Sequence, residues 1–234
     1  MAADEKAHGR TPARLLTVPY HVPYHAQIAS PWLAFAFFEK QMSTLLDPHW
    51  AESGAFSVEE YVYWTNRACG ATCVKMTVEA LGGAQRPLVE WARRGVALGG
   101  YLSEKREEGS SVERGWLHRT LAEMIQGEGF FAEPRSLKTD DFIPVIEKGG
   151  MIIASVSHEI GTNHPITKRG GHLVLVFGAI VEDEKLTAII LHNPSGRTDN
   201  LRAAARIPIR RFLSAFSGRG IVAGTDCVFR KLNP

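Results

Sequence analysis

Residues 69–76 have the sequence CGATCVKM, which predicts the start of a buried helix with a cysteine in its first turn. Cys69 and Cys73 are spaced to share one helix face, and the apolar pattern continues to Leu81, after which Gly82 supplies an end signal. A helix N-terminus carries about half a positive elementary charge, which stabilises a thiolate. This position makes Cys69 a candidate nucleophile.

A catalytic thiolate needs a base and a group that orients the base, and both types of residue follow about a hundred residues downstream. His172 lies in GGHLVLV, residues 170–176, and Asn193 lies in LHNP, residues 191–194. A turn at residues 182–185 would place His172 and Asn193 opposite each other or one diagonal step apart on paired strands. Asn193 can then accept a hydrogen bond from the His172 ring and fix its tautomer and orientation.

Acyl transfer also needs hydrogen-bond donors for the oxyanion that develops in the transition state. The backbone N–H of Cys69 is one candidate, because it lies at the helix N-terminus. A side-chain amide upstream is the usual second donor, and Gln27 and Asn66 both qualify by their chemistry. Asn66 is close to the cysteine in sequence, but position alone does not direct its amide.

The length and composition are those of one globular domain. The chain has 234 residues, of which 44% are hydrophobic and 22% charged. We expect residues 1–14 to be a flexible tail and residues 15–234 to form a single catalytic domain. A net charge of +2 with scattered basic residues gives no indication of nucleic-acid binding.

The sequence predicts a cytoplasmic protein without a membrane partner. The N-terminus has no secretory pattern, and the longest apolar runs are too short to span a bilayer. Three cysteines cannot form a closed disulfide framework, which favours a reducing compartment.

Helical patterns precede strand patterns along the chain, which indicates an α+β fold. The predicted helices include residues 32–46, 69–81, 87–97 and 115–126, and the predicted strands are residues 151–156, 171–181, 186–192 and 220–230. Residues 99–114, rich in Gly, Ser and Glu, are expected to form a loop. Cys227, in the last strand pattern, is expected in the core.

Four blocks of sequence resemble bacterial papain-like cysteine peptidases, in particular the bacteriocin-processing, double-glycine-leader peptidases and their stand-alone relatives. The blocks are VPYHAQ (22–27), YWTNRACG (63–70), GHLV (171–174) and HNPSG (192–196). The resemblance implies a papain-like fold in which an N-terminal helical half packs its cysteine helix on a C-terminal antiparallel sheet.

The resemblance also implies a role for each matching residue. Cys69 would attack the substrate, His172 would be the base, Asn193 would orient His172, and Gln27 would serve the oxyanion hole. The chain departs from the group in two respects. Residues 32–61 are an apparent insertion between the glutamine and the cysteine, and the orienting residue is Asn where many leader peptidases have Asp.

Each of these residues also has a non-catalytic interpretation. Cys69 alone fits a buried helix cysteine, His172 a satisfied strand histidine, and Asn193 before a proline a turn residue. Their joint occurrence in one order favours catalysis. Cys73 is interpreted as core, because its distance from Cys69 is not that of a metal-binding pair, and no metal or cofactor is predicted.

The predicted function is a cysteine peptidase or amidohydrolase that cleaves a peptide or amide bond through a thioester on Cys69. One alternative is an amide-forming acyltransferase or transpeptidase on the same fold, for example in small-molecule biosynthesis. A second is a catalytically degenerate binding module. The substrate would be a peptide or an amide-containing small molecule, and the residues expected to bind it are Trp64, Asn66, Gly70 and Gly171.

Overall fold

The structure is a computed structural model that describes residues 12–105 and 111–225. Within these residues the helices are α1 Ala34–Phe38, α2 Val58–Thr65, α3 Cys69–Ala80, α4 Leu88–Ala97, α5 His118–Gln126, α6 Phe142–Glu147 and α7 Ile209–Ala215. The strands are β1 Arg14–Thr17, β2 Tyr101–Lys105, β3 Ser111–Trp116, β4 Phe131–Ser136, β5 Met151–Val156, β6 His172–Glu182, β7 Lys185–His192, β8 Ala205–Pro208 and β9 Phe216–Gly224. Most of the expected N-terminal tail, and Cys227, lie outside the described residues.

Seven of the described strands form one antiparallel sheet, in the order β4-β9-β5-β6-β7-β8, with β1 paired to β6 as well. Helix α3 packs on β6 and also contacts α4 and α5. The predicted α+β fold, with the Cys69 helix on a C-terminal antiparallel sheet, is therefore confirmed.

The sequence of α3 explains its central position. Apart from Cys69 and Lys75, every residue from Cys69 to Val78 is buried, and these positions carry small or apolar side chains. The small first turn allows close packing: a Cβ on Gly70 would lie 2.7 Å from the Trp116 ring and 3.0 Å from Leu121. Only glycine fits at this position without displacing its neighbours.

The structure differs from the sequence prediction at residues 99–114, which were expected to form a loop. Strands β2 and β3 form a hairpin there, with Tyr101 opposite Trp116. The polar composition of β2 and β3 does not indicate strands, because a two-stranded sheet that packs on one face only needs few apolar residues. The strands β1, β4 and β8 were also missed, since each is short and carries charged residues or proline.

The apparent insertion is built from short turns of helix. The helix expected over residues 32–46 is instead a 3-10 turn at Pro31–Leu33, then α1, and a second 3-10 turn at Thr44–Leu46. Ile28, Ala34 and Phe37 form a small separate core there. No helix in the described part of the chain is long and apolar enough to cross a membrane.

Candidate active site

A cavity of about 770 Å³ opens between the start of α3 and the sheet, and both Cys69 and His172 lie on its wall. The cavity is lined by Asn66, Arg67, Cys69, Tyr101, Leu102, Gly115, Trp116, Leu117, His118, Pro134, Arg135, Ser136, Ser155, Gly171, His172, Leu173 and Arg219. Its volume suits a small molecule or a short stretch of peptide.

The packing of α3 on β6 brings the two candidate catalytic residues to the same place. Cys69 is the first residue of α3, and His172 is the first residue of β6. The backbone N–H groups of Leu173, which follows His172, of Gly70 and of Cys69 itself act to lower the pKa of the Cys69 thiol. The thiol therefore lies against the strand that carries the histidine.

The register of β6 and β7 brings His172 to Asn193. Leu175 pairs with His192 at the end of β7, and Nε2 of His172 lies 2.9 Å from Oδ1 of Asn193. The backbone N–H of Ser195 donates to the same oxygen at 3.1 Å, which identifies Oδ1 as the acceptor. Nε2 must then carry the proton, leaving Nδ1 as the ring nitrogen that can take a proton from another group.

The loop after β7 holds Asn193 in a fully enclosed position. Asn193 is 1% exposed, and a Cβ on Gly161 would lie 2.8 Å from its amide nitrogen. Arg197 anchors this loop through its backbone and its side chain. Its backbone N–H donates to the carbonyl of Gly161 at 3.0 Å. Its guanidinium forms an ion pair with Glu39 at 3.1 Å and lies over the Phe38 ring. The inserted segment thus braces the asparagine from outside the cavity.

Burial dominates the electrostatics of the cysteine and the histidine. Burial raises the pKa of the Cys69 thiol to about 11, although three backbone N–H groups act to lower it. Burial also lowers the pKa of His172 to about 4, against the hydrogen bond to Asn193, which raises it. The helix N-terminus that suggested a thiolate is therefore outweighed by desolvation, and the resting pair is a neutral thiol and a neutral imidazole.

The two candidate oxyanion amides lie in different environments. Asn66 caps the C-terminus of α2, is exposed and lies on the cavity wall. Gln27 is 5% exposed, lies outside the set of residues that line the cavity, and donates its amide N–H to the carbonyl of Thr65 at 2.5 Å. The role of Gln27 stays a prediction, and the geometry favours Asn66.

Of the other residues expected to bind substrate, one lies on the cavity wall and two do not. Gly171 lies on the cavity wall with φ +90°, a conformation that favours glycine. Trp64 and Gly70 lie behind the wall. Trp64 is buried and stacks on Trp116 with ring centroids 5.8 Å apart.

Trp116 is one of the wall residues that the sequence did not indicate. Its ring packs on Gly70 beside the cysteine, and its indole N–H donates to the carbonyl of Arg67 at 2.6 Å. In the sequence, Trp116 is a single tryptophan at the end of a polar segment. The pairing of β2 with β3 is what places it at the cavity. In the described part of the chain, no group of three or more His, Cys, Asp or Glu side chains could hold a metal ion.

No protein-family model and no curated protein matches the sequence. The solved structures that are similar to the chain include three peptidases. One is the peptidase domain of Streptococcus ComA, a bifunctional ABC transporter involved in quorum sensing, with 14% identity, TM-score 0.45 and coverage of 69% of this chain and 93% of that chain. Another is a C39-like peptidase from Bacillus anthracis, with 13% identity, TM-score 0.48 and coverage of 68% and 89%.

The third is a double glycine motif protease from a transporter in complex with its leader peptide, with 14% identity, TM-score 0.42 and coverage of 67% and 84%. These proteins are of the kind that the sequence blocks resemble. All three TM-scores are below 0.5, and these likenesses assign no activity to the chain.

Proposed function

We propose that this chain is a thiol hydrolase that cleaves a peptide or amide bond through a thioester on Cys69. One observation carries the proposal. Cys69 and His172 share a cavity wall, while the ring of His172 is held from behind by Asn193 at 2.9 Å. A nucleophile, a base and an orienting group in that relation are the components of nucleophilic acyl transfer.

The proposed reaction starts from the neutral pair. The sulfur of Cys69 attacks the carbonyl carbon of the substrate while its proton passes to Nδ1 of His172, and the carbonyl oxygen becomes an oxyanion. The imidazolium formed is stabilised by the oxygen of Asn193, which lies on Nε2. The backbone N–H of Cys69 and the amide of Asn66 are the proposed oxyanion donors.

Collapse of the tetrahedral intermediate breaks the C–N bond. The leaving amine takes the proton from Nδ1 of His172, which leaves the acyl group as a thioester on Cys69. Water then attacks the thioester carbon and gives a proton to Nδ1 of His172. The C–S bond breaks as this second tetrahedral intermediate collapses, and the proton returns from Nδ1 to the sulfur of Cys69. The products are the free acid and the regenerated thiol.

A comparison of two cysteines tests the proposal. A pooled library of short peptides is incubated with the wild type, Cys69→Ala and Cys73→Ala, and new N-termini are quantified by mass spectrometry. We expect Cys69→Ala to abolish cleavage and Cys73→Ala to keep most of it, because Cys73 lies fully buried in the core. Cleavage by Cys69→Ala at the wild-type rate would refute the assignment, and no cleavage by the wild type would favour a binding module.

A further inference from the structure

The cavity shared by Cys69 and His172 is lined by cationic side chains and by no carboxylate of the described residues. Its basic lining residues, apart from His172, are Arg67, His118, Arg135 and Arg219. Such a wall attracts anions and repels cations, because the walls of a cleft focus the field of the charges that line it.

Two of the four basic residues, Arg67 and Arg135, are hydrogen-bonded within the protein, and the third, His118, is neutral. Arg67 donates to the carbonyl of Tyr63 at 2.8 Å, and Arg135 donates its Nε to Glu133 at 2.8 Å. Burial and the nearby charge of Arg219 both lower the pKa of His118, so its ring is neutral at pH 7. The guanidinium groups of Arg67 and Arg135 are thus held by other groups of the protein, and His118 contributes no charge.

Arg219 differs from the other basic residues of the cavity wall in its surroundings. It lies exposed on β9, and among the described residues it has neither an ion-pair partner nor a hydrogen-bond partner. Its proximity to His118, at the start of α5, places its charge over the cavity. An arginine without an internal partner on a cavity wall is available to bind a ligand.

The strand order sets the backbone distance between Arg219 and the start of β6, where His172 lies. Leu173 on β6 pairs with Ser155 on β5, and Ala154 pairs with Gly220 on β9, the neighbour of Arg219. Two strand spacings therefore separate Arg219 from the start of β6, which is roughly 10 Å. That distance equals about three residues of extended peptide.

We propose that the substrate carries a carboxylate about 10 Å from the bond that is cleaved, and that Arg219 binds it. This inference rests on the proposed hydrolase function and adds the substrate class to it. The guanidinium fork suits a carboxylate, to which it donates two parallel hydrogen bonds. The hydroxyl-bearing Ser136, opposite Arg219 on β4 and also on the cavity wall, provides a further donor.

Binding to a protein that cannot turn over isolates this inference from the chemistry. Cys69→Ala protein is immobilised and exposed to a pooled library of blocked tetrapeptides, in matched pairs that differ only by Glu or Gln at one position. Retained peptides are quantified by mass spectrometry. We expect Glu peptides to be retained about fivefold better than their Gln partners at low salt, most of all when Glu lies at an end of the peptide.

Two further variants in the Cys69→Ala background locate the effect. Arg219→Gln should bring the Glu-to-Gln retention ratio close to one. Arg119→Gln is the matched control, because this arginine lies on α5, is exposed and pairs only with Glu123 one turn away in the described structure. It should leave the ratio unchanged. A second set of peptides is blocked at the N-terminus only and keeps a free C-terminal carboxylate. Comparing its retention with that of the fully blocked Glu peptides shows whether Arg219 binds an α-carboxylate or a side-chain carboxylate.

Equal retention of Glu and Gln peptides, or a ratio that survives Arg219→Gln, would overturn the inference, as would retention of no peptide at all. These outcomes are distinct from failure of the proposed function, which the cleavage assay with wild type and Cys69→Ala detects by itself. Cleavage of neutral peptides with no preference for Glu would support the hydrolase function and refute carboxylate binding by Arg219.

Discussion

A Cβ added to Gly161 would lie 2.8 Å from the amide nitrogen of Asn193, so the absence of a side chain at residue 161 is what lets the asparagine reach His172. The contact joins two segments far apart in sequence. It makes the position of the orienting residue depend on a glycine that touches neither the thiol nor the cavity wall.

Gly161→Ala is therefore expected to impair catalysis by displacing Asn193. The methyl group would push the asparagine amide away and weaken the hydrogen bond that aligns the imidazole. A small misplacement of a catalytic group can cost on the order of tenfold to a hundredfold in rate. We predict a loss of that size in kcat with KM little changed. Gly127→Ala, at the end of α5 where a Cβ meets only backbone oxygens at 3.3 Å and beyond, is the control.

Asn66→Ala should lower the catalytic rate, whereas Gln27→Ala should lower the stability of the fold. Asn66 is exposed on the cavity wall, so its loss should lower kcat by about a hundredfold with little change in Tm. Gln27 is buried and bonded to the carbonyl of Thr65, so its loss should lower Tm. If Gln27→Ala instead reduces kcat at constant Tm while Asn66→Ala does not, the oxyanion role belongs to Gln27.

Alkylation of Cys69 should become faster with rising pH well into the alkaline range. Burial raises the pKa of this thiol to about 11, so the reactive thiolate is scarce at pH 7 and increases about tenfold per pH unit. Mass spectrometry after iodoacetamide treatment between pH 5 and pH 10 follows the labelled peptide. Cys73, which is fully buried with a pKa raised further by burial, should stay unlabelled in the folded protein. A rate plateau below pH 6 would show a thiolate–imidazolium pair instead.

The folded protein should lose stability as pH falls from about 6.5 towards 4. Burial lowers the pKa of both His172 and His192 to about 4, so over this range the unfolded chain binds protons that the folded chain does not. Protonation of His192 also breaks the bond that its Nδ1 accepts from the Ala204 N–H at 3.0 Å. Each histidine contributes on the order of 3 kcal/mol above pH 6.5.

Urea unfolding at pH 4.5 and pH 7.5 measures this dependence. His192→Phe, which cannot titrate, should reduce the difference in unfolding free energy between the two pH values, while His164→Phe, at an exposed side chain, should preserve it. Equal stability of the wild type at both pH values would contradict the account.

The sequence predicted the parts of the site that local patterns determine. The small first turn and apolar face of α3 located Cys69, and the turn near residue 183 fixed the register that pairs His172 with Asn193. Patterns of this kind are reliable because helix and strand periodicities depend on neighbouring residues only.

Other parts of the site depend on contacts that no local pattern encodes. Trp116 reaches the cavity through a polar hairpin, and Asn193 is held by Gly161 and by the Arg197–Glu39 pair of the inserted segment. The position of Cys69 at a helix N-terminus is visible in the sequence, whereas the burial that raises the pKa of its thiol is not.

The proposed acyl transfer requires a thioester on Cys69, which can be detected in a rapid-quench experiment. The protein is mixed with the peptide library, quenched in acid within milliseconds to seconds, digested and analysed by mass spectrometry. We expect an acyl adduct on the peptide that contains Cys69. The adduct should be removed by neutral hydroxylamine and should be absent from His172→Ala. An adduct on Cys73, or cleavage of the library with no adduct on either cysteine, would contradict the proposed acyl transfer.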